Sequence, residues 1–187
     1  MIGKDPLKIM EMGVSLAFVP EDRLGMGLVG NMDLVDNMML RSFRNGAGVF
    51  TDRKSPRKLA ERLVTRLEVN TPSVATVVRK LSGGNVQKVL VGREIAAAPT
   101  VLLTAYAVRG LDINSSYMIY DLINEQKKAG VAIIYVGEDL DVLMELCDRI
   151  LVLSDGKVSG IVDATKTSKA HVGALMTTLG GGTSYDR

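Results

Sequence analysis

The chain has no tryptophan, only 4% aromatic residues, one histidine and one cysteine in 187 residues. So little aromatic surface leaves few platforms on which bases could stack. A net charge of +2, from 23 basic and 21 acidic residues, is too small and too evenly spread to recruit nucleic acid or an acidic membrane. Nucleic acid is therefore not an expected partner. The lone Cys147 excludes an internal disulfide framework and a thiol-based zinc site, and its context reads as cytosolic. No apolar run approaches the ~18 residues of a membrane-spanning helix, and Met1-Ile2-Gly3-Lys4-Asp5 lacks the apolar stretch of a secretory signal. A role at a membrane would need another chain to span it.

What is present is a 47% hydrophobic composition, enough for one globular domain with a subdomain. Val14 to Val19 is an apolar run stopped by Pro20, the pattern of a buried strand, followed by the charged loop Glu21-Asp22-Arg23. Helical spacing runs from Asp33 through Leu34, Val35, Met38 and Met39, and again over Arg57 to Glu68. Asn45-Gly46-Ala47-Gly48 between them reads as a loop. Asn85 to Ala98 reads as an amphipathic helix with Val86, Val89, Leu90 and Ile95 on one face, ended before Pro99.

Beyond it the period changes. Val101 to Leu103, Val131 to Val136 and Ile150 to Leu153 are continuous apolar runs separated by helical segments at Ser115 to Lys128 and Leu140 to Leu146. Strands buried on both faces and joined by helices imply a parallel sheet of the α/β class. Asp155-Gly156 predicts a hairpin turn into Val158 to Val162, and Ser168 to Leu179 a last helix. The expected layout is a core of residues 1–32 and 99–180, a helical insertion of 33–98, and a disordered tail of 181–187.

The most informative run is Leu81-Ser82-Gly83-Gly84-Asn85-Val86-Gln87-Lys88. Glycines at a helix start let backbone N–H groups approach an anion, the helix dipole favours negative charge, and the Ser82 hydroxyl adds a donor. An ordinary serine N-cap followed by two loop glycines would look the same in isolation. Glu138, Asp139 and Asp141 form an acidic cluster better explained as carboxylates at a helix N-terminus than as a metal site. His171 reads as a surface residue in a polar helix, and the ten methionines as apolar filler.

Leu81 to Lys88 resembles the LSGGQ signature of ATP-binding cassette transporter ATPases, in the LSGGN-x-QK form of sugar and nucleoside importers. Four further segments match in order. Phe18-Val19-Pro20-Glu21-Asp22-Arg23 with Gly27-Leu28 is similar to the YVPEDR...GL segment of the second ATPase domain of those importers. Ala105 to Asp112 lies where the end of Walker B and the D-loop belong, Tyr135 to Asp141 at the H-loop, and Cys147 to Lys157 at the closing CDRI-V--DG segment. Ile161-Val162-Asp163-Ala164 leans toward the nucleoside-type branch.

The resemblance implies a partial P-loop NTPase (RecA-like) parallel sheet with a helical signature subdomain. It also implies that Ser82, Gly83, Gly84, Asn85 and Gln87 face the phosphates of an ATP held by another domain, with Asp112 as the D-loop aspartate; Asp112 as a plain helix N-cap reads equally well. The departures are as informative. No GxxxxGK followed by Ser or Thr occurs, so the phosphate-gripping loop is expected upstream and the chain reads as a piece of a longer protein. The Asp-Glu-Pro-Thr that ends Walker B in the family gives way to Ala105, Tyr106, Ala107 and Val108, which removes both carboxylates. The H-loop histidine gives way to Glu138, and the Q-loop glutamine is represented only by Val19 and nearby Glu21.

ATP and Mg²⁺ are thus expected in the full dimeric assembly and not in the isolated chain. The implied partners are the first nucleotide-binding domain of the same subunit, the transmembrane permease through residues 33–98 near Met38 and Met39, side chains that read at least as well as buried helix packing, and a substrate-binding protein indirectly. The implied location is the cytoplasmic face of the membrane. The family's sheet would set a further strand between Val131–Val136 and Ile150–Leu153. Two other readings compete: a chromosome or repair ATPase, which lacks support because heptad arms and paired cysteines are missing, and a non-catalytic docking or regulatory protein derived from such an ATPase.

Overall fold

The computed structural model describes residues 3–43 and 51–177. The loop expected at Asn45–Gly48, the tail 181–187 and the last turn of the helix expected to reach Leu179 lie outside the described residues. The chain divides into two compact units, Met1–Val136 and Gly137–Arg187.

The first unit opens with α1 (Pro6–Glu11), which the sequence reading passes over although its signal is local: Asp5 caps the Leu7 N–H at 2.7 Å and Pro6 presets the first turn. Then come β1 (Leu16–Val19), a π turn at Arg23–Gly27, α2 (Leu34–Met39), α3 (Lys54–Arg66) and α4 (Gly83–Ala96). β2 (Val101–Ala105), α5 (Ile113–Lys128) and β3 (Ala132–Val136) complete it. The three strands form one parallel sheet in the order β1-β2-β3, with Leu16 opposite Val101 and Thr104 opposite Tyr135. A parallel sheet connected through helices is the α/β arrangement expected from the sequence.

One core joins the sheet to the helices. Ala17, Val19 and Leu102 from the strands pack with Leu34, Val35 and Met38 of α2, Val86, Val89 and Leu90 of α4, and Ile119 and Ile123 of α5. Met38 is therefore core, the buried helix packing that is one of its two readings, and not a contact surface.

Two further expectations are corrected here. Helix α4 is not amphipathic with one apolar face: Val89 to Glu94 are all buried, more than a full turn. It is enclosed because α3 covers one side, where Gly92 abuts Leu63 and Leu67, while β1 and the Arg23–Gly27 turn cover others. Its buried charges are neutralised in place. Glu94 accepts from Arg93 Nε at 2.9 Å, from Arg41 Nε at 3.2 Å and from the Phe18 N–H at 3.2 Å. The run Val131–Val136, expected to be buried on both faces, alternates: Ile134 is 55% exposed while Ile133 and Tyr135 pack on the core. The reason is that one face of β3 packs on the core of this unit while the other face is left uncovered within it.

The second unit contains α6 (Leu140–Leu146), β4 (Arg149–Ser154), β5 (Lys157–Asp163) and α7 (Lys169–Thr177). β4 and β5 form an antiparallel pair, so the run Ile150–Leu153 is a hairpin arm and not a strand of a parallel sheet. Asp155 and Gly156 both take positive φ, 49° and 72°, the conformation of a two-residue hairpin turn. Ile150 and Val152 face a small core with Val172 and Ala164, and Leu151 and Leu153 face outward.

Candidate functional site

Ser82 is the N-cap of α4, its hydroxyl oxygen accepting from the Asn85 N–H at 3.4 Å and from Asn85 Nδ2 at 2.9 Å. The helix thus starts two residues earlier than periodicity alone indicates, and Gly83 and Gly84 occupy its first turn, where amides have no intrahelical acceptor. Asn85 Oδ1 accepts the Asn70 N–H at 2.9 Å. Both ends of that amide are spent on bracing the loop, so Asn85 shapes the site more than it offers donors to it.

A second helix begins beside the first. Asp112 caps α5, accepting the Ser115 N–H at 2.9 Å, while Ser116 Oγ donates to its carbonyl at 3.0 Å. Hydrogen bonds from the Ser115 main chain and then its side chain, with Lys88 nearby, hold the Asp112 carboxyl below its ordinary value. Two helix N-termini converge on an open cleft of about 470 Å³. Ser82, Gly83, Gly84, Asn85 and Lys88 line it from α4, and Gly110, Leu111, Asp112 and Ser115 from the start of α5, with Glu68 and Asn70 at the rim. Lys88 Nζ donates to the Glu68 carbonyl at 3.4 Å, which holds its ammonium at this rim.

Four of the five residues expected to face a phosphate, Ser82, Gly83, Gly84 and Asn85, therefore meet the expected D-loop residue Asp112 at one cleft. Gln87 does not join them. It is 1% exposed, off the cleft lining, and its amide has no hydrogen-bond partner among the described residues. The reason is the enclosure of α4, which turns this position toward the core. Asp112 keeps both of its readings, since it caps α5 and also lines the cleft.

Residues that the sequence reading did not assign also shape the site. Arg23, from the turn after β1, donates to the carbonyls of Gly83 at 3.2 Å and of Arg109. Its partial burial pushes the guanidinium below its ordinary range by desolvation. Arg109 pairs with Glu21 and lies 5.8 Å over the ring of Tyr106. No periodicity marks the contacts of Arg23 and Glu21, which join segments far apart in the chain.

At the end of β2, Ala105 closes the strand and Tyr106 adopts a left-handed φ of 51°, its N–H bonded to the Val136 carbonyl at 2.9 Å. Ala107 is fully buried. None of positions 105–108 offers a carboxylate to a cation. In the second unit, Glu138 is exposed ahead of α6, Asp139 caps that helix through the Asp141 and Val142 N–H groups, and Asp141 pairs with Lys169. Helix capping and an ion pair account for Asp139 and Asp141. His171 is exposed.

No protein-family model matches the chain. It is 36% identical over 162 residues to the xylose import ATP-binding protein XylG of Moorella thermoacetica, covering 87% of this chain and 32% of that protein. It is 38% identical over 158 residues to the ribose import ATP-binding protein RbsA of Rhodopirellula baltica, covering 84% and 31%. The guanosine import ATP-binding protein NupO of Bacillus subtilis is 35% identical over 175 residues, covering 91% and 34%. The chain spans about a third of the length of these curated relatives. Among solved structures, a dimeric post-hydrolysis state of the ATP-binding cassette MJ0796 with ADP and phosphate superposes with a TM-score of 0.71 at 21% identity, covering 88% of this chain and 70% of that one. The cbiO1 component of the Clostridium perfringens cbiONQ transporter complex gives 0.63 at 20% identity, covering 87% and 62%.

Proposed function

Because the chain is a homologue of the ATP-binding proteins of sugar and nucleoside importers and has an ATP-binding cassette fold, we propose that it is the C-terminal part of the second ATP-binding cassette of such a subunit. In that assembly it helps to energise uptake of a simple sugar or nucleoside. Its cleft completes, in trans, an ATP site whose phosphate-gripping loop belongs to the first cassette.

The observation that carries this reading is the convergence of the α4 and α5 N-termini on one cleft floored by Gly83 and Gly84. Such a cradle fits a terminal phosphate: first-turn amides are unpaired, glycine admits close approach, and the Ser82 hydroxyl can donate. Lys88 adds positive charge at the rim. Asp112, opposite, would orient the partner's residues rather than the anion.

The same residues do not fit a second, self-contained site. Mg²⁺ bound beside a triphosphate needs a carboxylate at the end of the strand, and positions Ala105 and Tyr106 supply none, nor does Glu138 replace a histidine's donor. This domain's own nucleotide site is thus proposed to be degenerate, with ATP and Mg²⁺ working in the full assembly and the isolated chain inactive. The proposed partners are the first cassette of the subunit, permease subunits and, through them, a substrate-binding protein, on the cytoplasmic face of the membrane. Permease contact is assigned to exposed apolar side chains such as Leu40 rather than to the buried Met38.

Ser82→Arg in the intact subunit tests the proposal. A bulky cation at the cap fills the cleft, and ATP turnover coupled to transport is expected to be abolished. Unchanged turnover would reject the assignment. The absence of carboxylates at positions 105–108 also suits a second reading, a non-catalytic docking protein, under which no ATP turnover by the subunit depends on this chain.

A further inference from the structure

The cleft depends on a side chain that does not line it. Arg23 Nη1 donates to the carbonyl of Gly83, the first residue of α4, at 3.2 Å, and Nη2 donates to the carbonyl of Arg109, just ahead of the Gly110–Asp112 turn that starts α5. A planar guanidinium carries several donors in a fixed fork, so one group can hold two carbonyls at a set separation. Glu21, two residues earlier, pairs with the Arg109 side chain, so a single turn grips residue 109 by both main chain and side chain.

That turn is itself anchored along α4. Arg93 Nη2 donates to the Gly27 carbonyl at 2.7 Å, and the backbone at Gly27 comes so near Leu90 that a β-carbon there would sit 2.7 Å from Leu90 Cδ2. Asp22 caps the Gly25 N–H at 2.8 Å, closing the turn on itself. The segment 21–27 is therefore fixed to α4 at two levels, and Arg23 reaches from it to the start of both helices. Gly84 itself has no side chain with which to bridge to the α5 start: even a β-carbon built on it would only reach ordinary contact, 3.8 to 4.0 Å, with Ser115, Leu111 and Asp112.

We propose that Arg23 is a positioning residue for the cleft, holding the N-terminus of α4 in register with the Gly110–Asp112 turn so that the Ser82–Gly84 helix start addresses the phosphate while Asp112 faces the partner's residues. This rests on the reading of the cleft as a phosphate site in trans. Its effect is on the geometry reached in the reacting complex more than on the affinity of the distant nucleotide loop, so it acts on kcat before KM. Small misplacements of such groups cost about tenfold to a hundredfold in rate.

The experiment compares ATP turnover by the intact importer subunit carrying Arg23→Ala, Arg23→Lys or Ser82→Arg. Arg23→Ala is expected to lower kcat at least about tenfold with little change in KM for ATP, and added methylguanidinium to restore part of the loss. Arg23→Lys, whose single ammonium cannot span both carbonyls, is expected to stay impaired; should the alanine variant not fold, this variant decides. Wild-type kcat in a folded Arg23 variant, or a loss that methylguanidinium does not relieve, overturns the proposal. If Ser82→Arg abolishes turnover while Arg23→Ala does not, only the role of Arg23 fails. If Ser82→Arg is silent, the underlying reading of the cleft fails with it.

Discussion

Gly84 of α4 and Asp112 at the start of α5 face each other at the cleft: a β-carbon built on Gly84 lies 4.0 Å from Asp112 Oδ2 and 3.8 Å from Ser115 Oγ. Those are comfortable contact distances, so packing does not require glycine there. Nor does the backbone, because Gly84 takes no positive φ. What an added methyl would fill is the space that the proposed phosphate would need to reach the first-turn amides.

Gly84→Ala is accordingly expected to leave the fold as stable as before or up to about 1 kcal/mol more stable, because alanine is the better helix former. In the intact subunit the same change should cost ATP turnover at least about tenfold, through loss of close approach. Urea unfolding paired with turnover measures both. A variant that is stable and fully active would show that no phosphate comes near this residue.

Glu94→Ala removes the carboxylate that Arg93 and Arg41 share inside the first unit. Arg93 is only 7% exposed and would be left as an uncompensated buried charge. Breaking a buried pair in this way costs about 3–5 kcal/mol. Chemical denaturation should show a lower midpoint, and a loss under 1 kcal/mol would mean that solvent reaches the site.

Asp112 gives a pH signature. Its carboxyl is held below the ordinary 3.8 by the Ser115 hydrogen bonds. A depressed folded-state value means that the charged form stabilises the fold above about pH 4, and that this contribution disappears as pH falls through the folded value. Wild type should thus be more stable than Asp112→Asn at pH 7, with the difference closing at the acid end. Unfolding midpoints of the two proteins at pH 7 and pH 3 test the sign; a gap independent of pH would remove the carboxylate's role in the cap.

Calorimetry of the isolated chain with ATP and Mg²⁺ should detect no binding tighter than about millimolar, because helix-start donors without a gripping loop or a cation ligand supply too few charge-assisted contacts. Micromolar affinity would instead place a nucleotide site within these residues.

Much of this molecule was legible in its residues. The caps Asp33, Ser82, Asp112 and Asp139 each bond an N–H two or three positions ahead, so a few neighbours suffice to specify them. The hairpin turn at Asp155-Gly156 is equally local, and the collinear order of the signature and its companion segments led to the family that the relatives confirm. The strand environment was less legible. An apolar run reads alike whether it ends a parallel sheet, as at Ile134, or forms one arm of a hairpin, as at Leu151.

The sequence alone therefore determined where helices start, which class of sheet they accompany and what chemistry a Ser-Gly-Gly helix start can perform, because those properties are set within one or two turns of chain. Tertiary structure alone decided that Ser82 and Asp112 share a cleft, that Gln87 is turned away from it and that Arg23 ties its two walls together. These follow from which surfaces pack around α4, and packing partners distant in the chain leave no mark on the spacing of the residues they enclose.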